Sequence, residues 1–385
     1  MDLNPWLDDT HLVVCVGSGG VGKTTTAASI GLWGAVHGRK AMVLTIDPAR
    51  RLANSLGLSR FEHEGHPIDL SPLAGAEGEL WAMMLDSRAT FDELIDRIAP
   101  NEEVRDRILA NHVYQQMSEA FAGSQDYMAT EKIHDIVASG AYDLVVLDTP
   151  PVKNALDFLE SPGRLVSFLD ERVLSWFLDD GPRGALGGLL AGTSAVVLRL
   201  LAALFGREFI NDLTEFMRDF DALYEGFRKR HRTVLDLFRA EDTQFVTVCA
   251  ATESSIDIAR FFQEELARRE LARGGVIVNQ VHRCDGSTHD AEAVLGDVAR
   301  GLATDLDPTT VSSVLARLGM AHRRLHELAT AERAQIERVH HAATGGHFYQ
   351  EVPRLDTEVN DLPTLFQVGR ELFGTPAEDM RAGQT

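Results

Sequence analysis

Short, continuous apolar runs alternate with amphipathic stretches along most of the chain. Leu12–Val16 is such a run, of the kind that a parallel strand buried on both faces requires. A glycine-rich loop follows it. A helix-like stretch over residues 24–37 and a second apolar run over 41–46 complete a βαβ pattern. Further apolar runs at 80–85, 144–147, 245–250 and 276–278 suit additional buried strands. Spaced this way, with helices between, they predict an α/β fold with a doubly wound, mostly parallel sheet and its ligand at the carboxyl ends of the strands.

Two stretches, 87–139 and 156–240, read as helical insertions forming a subdomain. In the second, Leu213, Phe216, Phe220, Leu223, Phe227, Val234 and Leu237 fall on alternating steps of three and four. That spacing predicts one helix seam, interrupted only around Arg230. The seam either lies on the sheet or a neighbouring helix, or presents a surface to a client. Residues 185–206 are rich in Ala, Leu, Val and Gly, but Arg199, Gly187, Gly188, Gly192, Thr193 and Ser194 weigh against a bilayer helix. This segment is either a client-contacting or lid element, or core or loop. Residues 376–385 read as a loose tail.

The formal charge of −21 over 385 residues changes the list of partners. Nucleic acid and anionic lipid would both be repelled, so no nucleic acid and no stable membrane insertion are expected. The cysteines, Cys15, Cys249 and Cys284, form neither a C-x-x-C pair nor a metal-ligand run. The first residues lack a signal-peptide pattern, so a cytoplasmic location is expected. His63, His66, His340 and His341 sit in polar surroundings and read as surface residues.

The chemistry lies in the loop after the first strand, where residues 17–24 match G-x-x-x-x-G-K-T. Glycines let backbone N–H groups turn in around phosphates, the lysine neutralises phosphate oxygens and the last hydroxyl ligates magnesium. Gly17, Ser18, Gly19, Gly20, Val21, Gly22, Lys23, Thr24 and Thr25 are therefore candidate nucleotide-binding residues, with ATP and Mg2+ as cofactors. Asp148 closes the run 144–147 and is placed to hold magnesium, with Thr24, through water. Asp47, after the run 41–46, suits a residue that positions or deprotonates the attacking water, with Lys23 as its catalytic companion.

These motifs resemble the ArsA-type ATPases, a family that holds arsenite-pump ATPases and ATPases targeting tail-anchored membrane proteins. The resemblance rests on Gly-Gly-Val-Gly-Lys-Thr-Thr at 19–25, Thr-Ile-Asp-Pro-Ala at 45–49, the segment 142–151 and Val-Asn-Gln at 278–280. It implies a P-loop NTPase, a single domain over 10–375, working as a dimer. It also implies switch roles for Asp47 and Asp148, adenine contact by Asn279, a position near the dimer interface for Glu253, and a place for Pro353 beside the nucleotide.

The departures bear on mechanism. The family's loop carries a lysine that reaches the partner's phosphates, at the position of Ser18. Three substitutes remain open: a hetero-dimer with a lysine-bearing paralogue, Arg50 or Arg51 supplying the charge, or a slow nucleotide switch. The family's zinc-binding C-x-x-C is absent, and Thr-Pro-Pro-Val-Lys-Asn at 149–154 replaces the family's switch II continuation. The function implied is a dimeric ATPase whose nucleotide state switches a helical subdomain that binds an apolar helical client. An ATPase subunit of a metalloid efflux system is the alternative.

Overall fold

The computed structural model describes residues 4–46, 56, 65–115, 125–150, 207–284, 298, 301, 307–343 and 348–374. Its centre is a sheet ordered β3-β4-β2-β5-β1-β6-β7-β8, parallel throughout except for the β3–β4 pair. The strands are β1 (Leu12–Val16), β2 (Lys40–Thr45), β3 (His66–Ile68), β4 (Glu79–Met84), β5 (Leu144–Asp148), β6 (Thr243–Ala250), β7 (Arg273–Val281) and β8 (Phe348–Pro353).

Every side chain of β1 is buried, because alternate residues enter different cores. Val13 and Cys15 face the layer made by α2 (Lys23–Val36) and α10 (Leu362–Phe373). Leu12, Val14 and Val16 face α5 (Gln125–Ala138), α7 (Tyr224–Arg239) and α8 (Glu253–Arg268). Helices on both faces explain why the strand sequences are continuous apolar runs and not alternating ones. A short α1 (Asn4–Asp8) precedes the sheet, and α9 (Pro308–Ala343) leads into β8.

A separate helical core involves α3 (Ser87–Ile98), α4 (Glu102–Ala110), α5, α6 (Arg207–Asp221) and α7. Phe91, Tyr114, Tyr127, Phe216, Phe220 and Phe227 meet there. Two helices belong to both cores. In α5, Ala129, Ile133 and Ile136 pack on the sheet while Tyr127 and Met128 pack among the aromatics. In α7, Val234 and Phe238 take the sheet and Phe227 the aromatics.

The single seam expected over 213–237 is two helices, broken at Ala222 and Leu223. Leu223 is fully buried at the N-cap of α7, so it anchors the bend between the two. Arg230 is no interruption either: its Nε donates to Glu131 Oε2 at 2.7 Å, and its guanidinium also meets Asp135. His66 lies half-buried in strand β3, not in a surface turn. The segment 185–206 and the tail 376–385 lie outside the described residues. Among those described, no helix is long and apolar enough to cross a membrane.

Candidate active site

β1 sits where the strand order reverses, between β5 and β6, and the chain turns from its end into α2. Gly17, Gly20 and Gly22 adopt φ values of 153°, 79° and 90°, a region that side chains disfavour. Two of them are also closed sterically. A Cβ on Gly17 would stand 2.0 Å from the carbonyl oxygen of Val248, and one on Gly22 would stand 2.2 Å from Asn279 Nδ2. The loop thus runs tightly against β6 and β7. Asn279 Nδ2 fastens it by donating to the Val21 carbonyl at 2.9 Å.

α2 starts at Lys23 with no side-chain cap on its first N–H groups and no acidic residue in its first turn. Its amino end therefore keeps the donors and the positive dipole end that receive an anion. Lys23 is only 6% exposed, and its Nζ donates to the Ser18 carbonyl at 2.8 Å. A buried ammonium closed inside such a loop has the charge to neutralise a phosphate oxygen.

Asp148 ends β5 beside Cys15 of β1 and Thr45 of β2. It is fully buried, and its Oδ2 accepts from Thr45 Oγ1 at 2.9 Å. Burial foremost, and then the Asp148 charge, push the Cys15 thiol well above its ordinary pKa, while Lys23 pulls it down. The Thr24 hydroxyl, half-buried at the start of α2, and the Asp148 carboxylate are hard oxygen donors, the chemistry that magnesium prefers. The glycine cradle suits the phosphates that would complete its shell. Among the described residues no three His, Cys, Asp or Glu side chains converge as a metal-binding group.

Ser18 is tied within its own chain. Its Oγ lies 3.0 Å from Ser255 Oγ, which also accepts from the Ala250 N–H at 3.0 Å. Ser255 stands in the first turn of α8, so the loop position of Ser18 is latched to that helix. Glu253, the first residue of the same helix, is exposed.

Beside the loop opens a cleft of about 590 Å3, lined by Gly22, Thr25, Asn279, Gln280, His282 and Pro353 among others. That volume lies within the range of small-molecule sites. Asn279 ends up 8% exposed at the cleft, and Pro353 arrives there by pairing with Val281 at the end of β8. Asp47, Arg50 and Arg51 lie outside the described residues.

Several participants escape a reading of motifs. Thr45 holds Asp148, Ser255 holds Ser18, and His282 and Arg354 line the cleft. The clue within the sequence is position: Thr45 and His282 each stand at the carboxyl end of an apolar run, where this fold assembles its sites.

Residues 10–289 match the family model described as anion-transporting ATPase. The chain is 27% identical over 270 residues to ATPase GET3 of Malassezia globosa, covering 70% of this chain and 72% of that protein. It is 26% identical over 276 residues to ATPase get3 of Aspergillus terreus, covering 69% and 71%. ATPase get3 of Schizosaccharomyces japonicus is 27% identical over 266 residues, covering 69% and 72%. With a matched region that spans well over half its length, and with relatives named as ATPases, the chain belongs to the ArsA ATPase family and hydrolyses ATP.

Proposed function

We propose that this chain is a magnesium-dependent, dimeric cytoplasmic ATPase whose nucleotide state opens and closes a helical site for an apolar client helix. One observation carries the reading: α5 and α7 each place one part in the sheet core and another in the aromatic helical core. A shift at the strand ends that carry Asp148 is therefore delivered to the helical layer through packed side chains, which have little room to deform gradually. Within this reading Lys23 and the loop bind the phosphates, Thr24 and Asp148 hold magnesium, and Asp47 orients the attacking water. The base occupies the cleft at Asn279 and Pro353, and Glu253 stands toward the second subunit.

Ser18 favours one form of the dimer. Its hydroxyl is engaged with Ser255, and serine offers no cation to a neighbour's phosphates. A lysine-bearing paralogue supplying that charge gives a composite site, in which a cation on the transferring phosphoryl contributes several powers of ten to the rate.

The test uses a fluorescent synthetic peptide with one apolar, membrane-helix-like segment. Peptide binding should differ at least roughly fivefold between the magnesium–ATP-analogue and magnesium–ADP states, the lower end of ordinary coupling energies. In Lys23→Ala the difference should vanish. Equal binding in both nucleotide states of the wild-type chain would sink the client reading.

A further inference from the structure

The cleft beside the loop holds a histidine whose proton is fixed by its surroundings. His282 follows Val281, the last residue of β7, and lines the cleft with Asn279, Gln280 and Pro353. Glu332, buried on α9, grips it twice: one carboxylate oxygen accepts from the His282 backbone N–H at 2.8 Å, and the other lies 2.7 Å from Nδ1. A carboxylate only accepts, so Nδ1 carries the ring proton. In the neutral imidazole Nε2 is then the acceptor.

We propose that His282 is a specificity-determining residue that selects a purine bearing an exocyclic amino group over one bearing a carbonyl there. Nε2 accepts from the amino group of adenine and faces the carbonyl of hypoxanthine or guanine as one acceptor against another. This rests on the cleft being the nucleoside site. Apart from Asn279, the charged and amide side chains of the cleft discriminate less. Arg283 and Arg354 are exposed donors that favour a carbonyl if anything, Gln280 can present either end of its amide, and Asp356 and Glu358 stand exposed where water competes. Asn279 is the other cleft side chain with its polarity set by a buried bond, since its amide is oriented by donating to the Val21 carbonyl. His282 adds a second fixed acceptor.

Glu332→Gln gives the sharpest contrast. With its carbonyl kept on the His282 backbone N–H, the new amide would donate to Nδ1 and drive the ring proton to Nε2, turning the acceptor into a donor.

Calorimetric binding of adenosine and inosine diphosphates, with magnesium, tests this in the full chain. The wild type should prefer adenosine diphosphate by roughly tenfold or more, as expected where a carbonyl leaves a site acceptor unpaired. His282→Ala should remove most of that preference, and Glu332→Gln should move it toward inosine diphosphate. A ratio unchanged in both folded variants would overturn the proposal. Photo-crosslinking with 8-azidoadenosine diphosphate, mapped by mass spectrometry, separates the two readings. Label on residues 279–284 or 352–359 upholds the cleft as nucleoside site whatever the variants do. Label confined elsewhere would overturn the cleft reading and the proposal with it.

Discussion

At Gly22 one methyl group decides whether the loop can close. Its Cβ would stand 2.2 Å from Asn279 Nδ2, and the backbone φ of 90° is itself unfavourable to alanine. Gly22→Ala should therefore break the bond from Asn279 to Val21 and displace Lys23, lowering ATP affinity by roughly tenfold or more, the worth of about one well-placed charged hydrogen bond. Equilibrium binding of a fluorescent ATP analogue checks this, and wild-type affinity in a folded variant would contradict the assignment. The loop is legible in the sequence because all its residues are contiguous and the spacing itself encodes the cradle. The hold of Thr45 and of Ser255 on their partners is not legible, although Thr45 falls inside the motif at 45–49. Their partners, Asp148 and Ser18, lie 103 and 237 positions away, and only the register of β2 and β5 and the packing of α8 bring them together.

α5 and α7 are joined by a buried ionic contact as well as by apolar packing. Glu131 is fully buried and pairs with Arg230, while Asp135 takes Arg230 and Arg97 of α3. Arg230→Ala leaves the Glu131 charge without its counter-ion and should destabilise the fold by about 3 kcal/mol, read as a shift of the urea midpoint. Adding Glu131→Gln should recover much of that loss. Burial alone would raise the pKa of Asp135, yet the Arg97 and Arg230 guanidinium groups, with His134 beside them, hold it down at about 2. An unfolded aspartate titrates near about 4, so Asp135 contributes stability above that pH that is lost as the pH falls toward about 2. Glu131 acts oppositely: burial, outweighing Arg230, raises its pKa and opposes folding as the pH rises past its unfolded value. In urea titrations across the acid range, Asp135→Asn should flatten the acid loss of stability; an unchanged slope would exclude this assignment. Periodicity could not show the bend at Leu223, because an apolar residue at a helix joint continues the same seam that an unbroken helix would. Nor could apolar runs reveal β3 or β8. β3 is three residues with a central proline on an edge, and the other edge strand, β8, carries Glu351 paired with Arg333 at 3.0 Å.

Across the whole molecule, the order of the sheet is what turns scattered residues into one site. Placing β1 between β5 and β6 sets the glycine loop beside Asp148 on one flank and Asn279, one strand further, on the other. Among the described residues, α5 and α7 pack both against the sheet and in the helical core, which is the frame through which the proposed switch would act. The central claim is that hydrolysis takes place at residues 17–24, with Asp148 beside them, and is completed across a dimer. Steady-state ATP turnover, measured over a range of protein concentrations for the wild type, Lys23→Ala and Asp148→Asn, tests it most directly. The account predicts that turnover per chain rises with protein concentration, or on adding a lysine-bearing paralogue, and falls roughly 100-fold or more in either variant. Turnover that survives Lys23→Ala and Asp148→Asn in folded protein would contradict it.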